Sequence, residues 1–309
     1  MRVAFFGTSD FAVPVLERIA GSGHTVNPVV TSAPKPSGRG RKLLPAPVED
    51  AAVGLGLAVS RPADPHAPES VELLRAAEPD VGILVAYGHI LRQRLLDIPR
   101  LGFYNLHPSL LPLYRGAAPI QRTLMDGRTR TGVTVIAMSR AVDAGDIVAQ
   151  SETDVRADET YGELSSRLAQ MGADLVVETL RRIETGTLTR IAQDPTRATP
   201  APKLAKNERT IDWSQLASVI HNRIRAMSPE PGAVTALRGK RLFLLRSRVS
   251  LADATEEPGT LLGSSGLIVA AGKGAVELLD VQPESGKVQS GKAFRNGHRL
   301  MPGERFTSP

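Results

Sequence analysis

The sequence predicts an α/β chain: a parallel-type sheet with covering helices, followed by a smaller domain of short strands forming a barrel or sandwich. Three observations carry this. The chain opens on a strand, a helix and a second strand within residues 2–31. Val81–Ala86, "VGILVA", is a continuous apolar run, the texture of a strand buried on both faces. Beyond a stretch rich in Thr, Pro, Ala and Gly from Gly186 to Asn207, short β-rich runs alternate with turns.

Each element has its own signal. Arg2–Phe6 is a short apolar run. Phe11, Val15, Leu16 and Ile19 then recur at helical spacing, with Pro14 in the first turn and Gly21 and Gly23 available to stop the helix. Val26–Thr31 reads as a strand, 34–47 as a loop, Glu69–Ala77 as a helix and Gly102–Leu106 as a strand. Ala117–Met125 reads as a helix, and Gly132–Met138 and Ile147–Thr153 as strands. Thr160 and Glu163 form a capping box ahead of the apolar stripe Leu164, Leu168, Met171, Leu175, Val176, Leu180, Ile183, which is core packing. Trp213–Met227 reads as one amphipathic helix. The strands after it are Gly232–Leu237, Arg241–Val249, Gly259–Leu262, Leu267–Ala271 and Ala275–Val281, with "AAGKGA" as a hairpin turn. The expected division is 1–189, a linker over 190–206, and 207–309.

Bulk composition narrows the function. Apolar residues make up 41% and charged residues 23%, enough for a sizeable core in a globular protein. The absence of cysteine excludes disulfides, thiolate nucleophiles and cysteine metal sites. No segment approaches the roughly 20 apolar residues of a spanning helix, so a cytoplasmic protein without membrane contact is expected. Residues 1–202 hold 22 Lys/Arg and 22 Asp/Glu, whereas 203–309 hold 16 and 10. The whole net charge of +6 therefore lies in the second part, which suits a polyanionic partner.

The chemistry concentrates in "YNLHPSLLPLYRG", Tyr104–Gly116. Asn105 and His107 are two apart, so a strand places both on one face. Pro108 takes the chain out of the sheet, which puts the pair at a strand's carboxyl end, where open α/β sheets bind ligands. An amide donor and an imidazole suit a carbonyl carbon becoming tetrahedral. Downstream, "GVTVIAMSRAVDAGDIVAQ" is a strand, a loop and a strand, and Asp143 on the loop is able to orient His107 or relay a proton. Asp146 closes the loop.

"NLHPSLLPLYRGAAPIQ" followed by "GVTV…VDAGDI" resembles the folate-dependent formyltransferases, and more narrowly their branch acting on methionyl-tRNA. "FFGTSDFAVPVL", "KPSGRGRKLLPAPV", "VAYGHIL" and "KNERTIDW" stand in the order and spacing of that branch, so the likeness runs from Arg2 to about Val281. It implies a mixed Rossmann-like sheet (the formyltransferase fold), a linker and a barrel-like carboxyl-terminal domain. It implies Asn105, His107 and Asp143 as the catalytic set, 10-formyltetrahydrofolate as co-substrate, and the methionine amine on initiator tRNA as acceptor. Ser109, Leu110, Leu111 and Pro112 would run along the folate. Val85, Tyr87, Ile90 and Leu91 would wall its pterin ring. No metal is implied, and a monomer is expected.

"KPSGRGRK" carries Lys35, Arg39, Arg41 and Lys42 without an acid. Beside the formyltransferase motif it reads as a tRNA-contacting loop, with Arg238, Lys240 and Arg241 as further basic candidates. Formyl transfer to a small amine, such as a nucleotide or an amino sugar, is the nearest rival; the basic loop and the basic second domain argue against it. A dinucleotide-binding oxidoreductase is disfavoured because Gly7-Thr-Ser-Asp-Phe-Ala lacks G-x-G-x-x-G. A non-catalytic RNA-binding protein is disfavoured by the intact Asn105, His107 and Asp143.

Overall fold

The structure is a computed structural model of the 309-residue chain, and it describes residues 1–33, 35–37, 42–252, 254–263 and 265–308. The chain forms two compact units. The first comprises 1–116, 132–153 and 165–200; the second comprises 117–131, 154–164 and 201–309.

The first unit is built on a seven-stranded sheet. Its strands are β1 (Arg2–Gly7), β2 (Thr25–Val30), β5 (Val59–Ser60), β6 (Val81–Val85), β7 (Phe103–His107), β8 (Arg130–Ala137) and β9 (Ile147–Asp154), in the order β5-β2-β1-β6-β7-β8-β9. The strands from β5 to β7 run parallel, and β8 pairs antiparallel with β7. The sheet is therefore mixed, and the order reverses at β1, between β2 and β6. The burial of these strands follows their place. Val3, Ala4, Phe5 and Phe6 of β1 are all buried, as a central strand covered on both faces requires, whereas β9 alternates as an edge strand does.

Helices α1 (Val13–Ala20), α2 (Pro47–Gly54), α3 (Pro68–Ala76), α4 (Gln93–Leu96) and α6 (Tyr161–Glu184) accompany this sheet. One core cluster joins Ala4 and Phe6 of β1 to Val71 and Leu74 of α3, Leu95 and Leu96 of α4, Tyr87, Leu91 and Phe103. On α6, Leu164, Leu168, Val176 and Leu180 of the predicted stripe are buried, and Met171, Leu175 and Ile183 are half-buried. Gly172 of α6 lies so close to β7 that a Cβ there would overlap the Cδ2 of Leu106. The predicted capping box is present: the Thr160 amide donates to Glu163 Oε2 at 2.9 Å and the Glu163 amide to Thr160 Oγ1 at 3.4 Å.

Segment 34–47, read as a loop, contains two short paired strands, β3 (Lys35–Ser37) and β4 (Lys42–Leu44), and delivers Pro47 to the first turn of α2. Residues 190–200, which the sequence reads as linker, pair with the first unit through the bridges Ile147–Ile191 and Arg115–Pro200.

The second unit carries α5 (Pro119–Met125), α7 (Ala217–Ala226), α8 (Gly291–Gly297) and an antiparallel sheet. The strands are β10 (Ala233–Leu237), β11 (Lys240–Ser250), β12 (Leu261–Leu262), β13 (Ile268–Ala270), β14 (Ala275–Pro283), β15 (Gln289–Ser290) and β16 (Phe306–Thr307). Their order is β12-β13-β14-β11-β10-β16, with β15 on β14. The two ends meet. Leu261 N donates to Glu304 O at 2.7 Å, Phe306 N donates to Gly259 O at 2.8 Å, and Thr260 bridges Arg305. This closure makes the sheet barrel-like and satisfies its edges. Inside lie Leu242, Leu244, Val269, Val276, Leu278, Val281 and Phe306, with Ile220 and Ile224 of α7 packed among them.

The helix expected from Trp213 begins only at Ala217. The Asp212 carboxylate accepts from the Ser214 amide at 3.0 Å and from Ser214 Oγ at 2.6 Å, an Asx turn that competes with helix. Trp213 instead faces the barrel, where its indole donates to Thr235 Oγ1 at 3.0 Å. No helix among the described residues is long and apolar enough to cross a membrane.

Candidate active site

Strand β7 continues through His107, one residue beyond the stretch read as strand from the sequence. Asn105 pairs with Leu84 of β6 and Ile136 of β8, and His107 pairs with Thr134. The two side chains share the face of Phe103, at the carboxyl end of the parallel strands and next to the antiparallel β8. Both are buried.

The loop after β7 folds back onto them. Thr134 Oγ1 donates to Ser109 O at 2.6 Å and accepts from the Leu111 amide at 3.2 Å. Gln150 Nε2 donates to Leu111 O at 3.1 Å and to Thr134 Oγ1 at 2.8 Å. Ser109 Oγ donates to Leu113 O at 2.6 Å. The returning chain reaches Tyr114 at φ 60°, and its carbonyl sits 2.9 Å from His107 Nε2. A carbonyl only accepts, so Nε2 carries the hydrogen and Nδ1 is the free nitrogen.

Asp143 completes the group. It lies on the loop between β8 and β9 at φ 51°, a left-handed conformation that Asp tolerates better than most residues. Its Oδ1 accepts from Asn105 Nδ2 at 3.4 Å, its Oδ2 accepts from the Gly116 amide at 2.9 Å, and Oδ2 lies 3.7 Å from His107 Nδ1. Gly145, two residues on, approaches β8 so closely that a Cβ would overlap Ala137 O. Burial pushes the His107 imidazole below its ordinary pKa; the Asp143 charge and the Tyr114 carbonyl act the other way and are outweighed. His107 is therefore neutral at neutral pH, with the Nδ1 lone pair turned towards Asp143.

A cavity of about 140 Å³ opens beside this group. Leu84, Leu91, Ile136 and Met138 form its apolar walls, Asn105 and Asp143 its polar end, and the exposed Ile90 and Val142 stand at its edge. Apolar walls with a few polar groups at one end are the usual lining of a small-molecule site. Among the described residues, no cluster of three or more His, Asp or Glu groups is placed to hold a metal ion.

The sequence-derived residues divide as follows. Asn105, His107 and Asp143 come together, and Ile90 and Leu91 line the cavity. Val85 and Tyr87 are buried, with Tyr87 packed edge-on against Phe6 at 5.3 Å. Burial, reinforced by Asp64, raises the Tyr87 phenol to about 12. Ser109, Leu110, Leu111 and Pro112 form the folded loop behind the triad; Ser109 and Leu111 are buried, and none of the four is among the walls of this cavity. Arg39 and Arg41 lie outside the described residues, and Lys35 and Lys42 fall in β3 and β4. Arg238 and Arg241 are engaged by Glu304, at 2.6 Å, and Glu284, at 2.9 Å.

Sequence reasoning missed the groups that hold the triad. Thr199 Oγ1 accepts from the Tyr114 amide at 2.8 Å. Gln193 Nε2 donates to Asp143 O at 2.9 Å and to Gly145 O at 2.7 Å. Both lie in a segment of linker composition, and no spacing rule ties them to Asp143.

Residues 1–180 match the formyl transferase family and residues 203–299 match the formyl transferase C-terminal domain. The methionyl-tRNA formyltransferase of Solibacter usitatus is 44% identical over 306 residues, covering 99% of this chain and 98% of that one. The chain belongs to the methionyl-tRNA formyltransferase family. The protein of that name from Moorella thermoacetica is 42% identical, with 98% of each chain covered.

Solved structures carry the same fold. HypX from Aquifex aeolicus, in complex with tetrahydrofolic acid, superposes with a TM-score of 0.68 at 18% identity. The match covers 96% of this chain and 47% of HypX, so the chain spans about half of that protein. The sugar 3N-formyl transferase WlaRD, solved with dTDP and 5-N-formyl-THF, gives 0.67 at 14% identity, covering 93% of this chain and 99% of WlaRD.

Proposed function

We propose that the chain transfers the formyl group of 10-formyltetrahydrofolate to the α-amine of methionyl-initiator tRNA. The observation that carries this reading is the meeting of Asn105, His107 and Asp143 beside an apolar slot, in a chain whose full-length relatives are methionyl-tRNA formyltransferases. The donor supplies an amide-like formyl carbon, open to attack by a neutral amine.

The side chains divide the work by their free valences. One Asn105 Nδ2 hydrogen points to Asp143, and the other is left to donate to the formyl oxygen as it gains charge. His107 Nδ1, neutral and unoccupied by Tyr114, takes the proton of the attacking amine and passes it to the departing nitrogen. While protonated, the imidazole is stabilised by Asp143 Oδ2 and donates to the same formyl oxygen. Asp143 thereby orients Asn105 and favours the charged state of His107. The slot of Leu84, Ile90, Leu91, Ile136 and Met138 receives the flat ring of the donor. Lys35, Arg39, Arg41 and Lys42 supply phosphate contacts to the tRNA, and the basic excess of residues 203–309 adds attraction along it.

The test is an assay with purified protein, 10-formyltetrahydrofolate and charged initiator tRNA, run beside glycinamide ribonucleotide and an amino-sugar nucleotide as acceptors. Formyl-methionyl-tRNA should form at least about 100-fold faster than either small product. Preferential formylation of a small amine would overturn the acceptor assignment and leave the formyl-transfer chemistry standing.

A further inference from the structure

We propose that Gln193 is a positioning residue for the reaction, a two-carbonyl clamp that holds the Asp143 loop in its working conformation and is itself held by Arg115. The inference rests on the reading of Asn105, His107 and Asp143 as the formyl-transfer site.

Gln193 has every polar valence of its amide directed. Its Nε2 donates to Asp143 O at 2.9 Å and to Gly145 O at 2.7 Å. Its Oε1 accepts from Arg115 Nε at 3.1 Å and from an Arg115 terminal nitrogen at 2.7 Å. The amide is thus fixed in orientation: a guanidinium on one side requires oxygen, and two carbonyls on the other require nitrogen. The contact joins two pieces of the site. Arg115 follows Tyr114, whose carbonyl binds His107, and precedes Gly116, whose amide binds Asp143.

The loop needs such a clamp. Asp143 stands at φ 51°, where a residue with a Cβ persists only when its surroundings hold it. Its carboxylate must reach Asn105, Gly116 and His107 together, and a displacement near 1 Å at a catalytic group can cost about 100-fold in rate. The segment carrying Gln193 is anchored nearby by the antiparallel bridge of Ile191 with Ile147, two residues before the clamp.

Gln193→Ala removes the clamp. Gln193→Glu keeps an acceptor for Arg115 but sets an oxygen against two carbonyls. Turnover should fall about 10- to 100-fold in both variants, with the KM for the formyl donor changed less than threefold. In an Asp143→Asn background, the same Gln193→Ala change should alter turnover by less than threefold, because a residue acting through Asp143 has nothing left to position.

A second readout is independent of any substrate. The His107 ring titration followed by NMR should shift downward in Gln193→Ala, in the direction of Asp143→Asn, while the thermal midpoint stays near that of the parent. Multiplying losses in the double variant, or a His107 titration unmoved by Gln193→Ala, would overturn the proposal. An inactive parent protein would instead count against the functional reading, and the titration would still decide the clamp.

Discussion

His107 has one nitrogen committed and one free, and that asymmetry organises the site. The Tyr114 carbonyl fixes the tautomer, burial keeps the ring neutral, and Asp143 waits 3.7 Å from the bare nitrogen. The folded-state pKa lies below the unfolded value of about 6.5. The unfolded chain therefore binds the proton first as pH falls, so this residue's contribution to stability is complete above pH 6.5 and declines below it towards the folded pKa. An NMR titration of the ring should give a midpoint under 6.5, and Asp143→Asn should lower it further by removing the carboxylate that faces the ring. A midpoint above 6.5 would mean that the carboxylate outweighs burial, and the proton acceptor would have to be sought elsewhere. Asn105→Ala and His107→Ala should each reduce turnover by about 100- to 1000-fold with folding intact, as loss of a transition-state donor does. Retention of near-normal rates by either would remove its proposed role. Asn105 and His107 stand out in the sequence as a polar pair before Pro at a strand end, but Asn-x-His alone is a weak signal, and it is the likeness to the formyltransferases that singles out these two together with Asp143. Tyr114 and Gly116 act through backbone atoms that any residue would supply. Gln193 stands 50 positions from Asp143, and only the folded chain makes them neighbours.

Strand β7 carries Asn105 and His107 on one face and Leu106 between them on the other, so the packing behind Leu106 sets the level of the site. Gly172 of α6 is where that packing is closest. A methyl at position 172 presses on a buried leucine side chain, and overpacking of this kind costs about 1–3 kcal/mol. Urea unfolding of Gly172→Ala should show a loss in that range. Placing the same change in a Leu106→Ala chain should reduce the penalty, since the methyl then enters vacated space; equal penalties in the two backgrounds would exonerate the contact. The elements themselves were legible wherever an apolar period was strong, as in β1, β6 and α6. The late start of α7 has a local cause, polar bonding that overrides the periodic signal. Asp212 turns the chain at Ser214 and delays α7, although Trp213 and Ile220 look like one helical face. The antiparallel entry of β8 left no mark either, because Val133 and Val135 would suit a strand running in either direction.

At the scale of the whole chain the two textures of the sequence are real, a mixed α/β sheet and a closed antiparallel one, but their segments interleave. Residues 117–131 and 154–164 belong to the second unit, and 190–200 to the first. Composition changes near 186–207, and compactness depends on spatial neighbours that composition does not encode. Charge is the other whole-chain property, and here the structure refines it. Several arginines behind the +6 of residues 203–309 are already paired: Arg238 with Glu304, Arg241 with Glu284 and Arg248 with Glu277. Exposed pairs of this kind offer less to a phosphate than their number suggests. On the proposed reading, sequence-independent grip on tRNA then depends heavily on the run Lys35–Lys42, with four cations and no acid in eight residues. Changing Lys35, Arg39, Arg41 and Lys42 together to Gln should lower kcat/KM for charged tRNA while leaving the KM for the formyl donor unchanged. The dependence of log kcat/KM on log salt should also flatten, by about 0.7–0.9 for each phosphate that is no longer neutralised. A weaker reaction with an unchanged salt slope would place the effect in folding of the segment. An unchanged rate at low salt would move the tRNA-binding surface away from it.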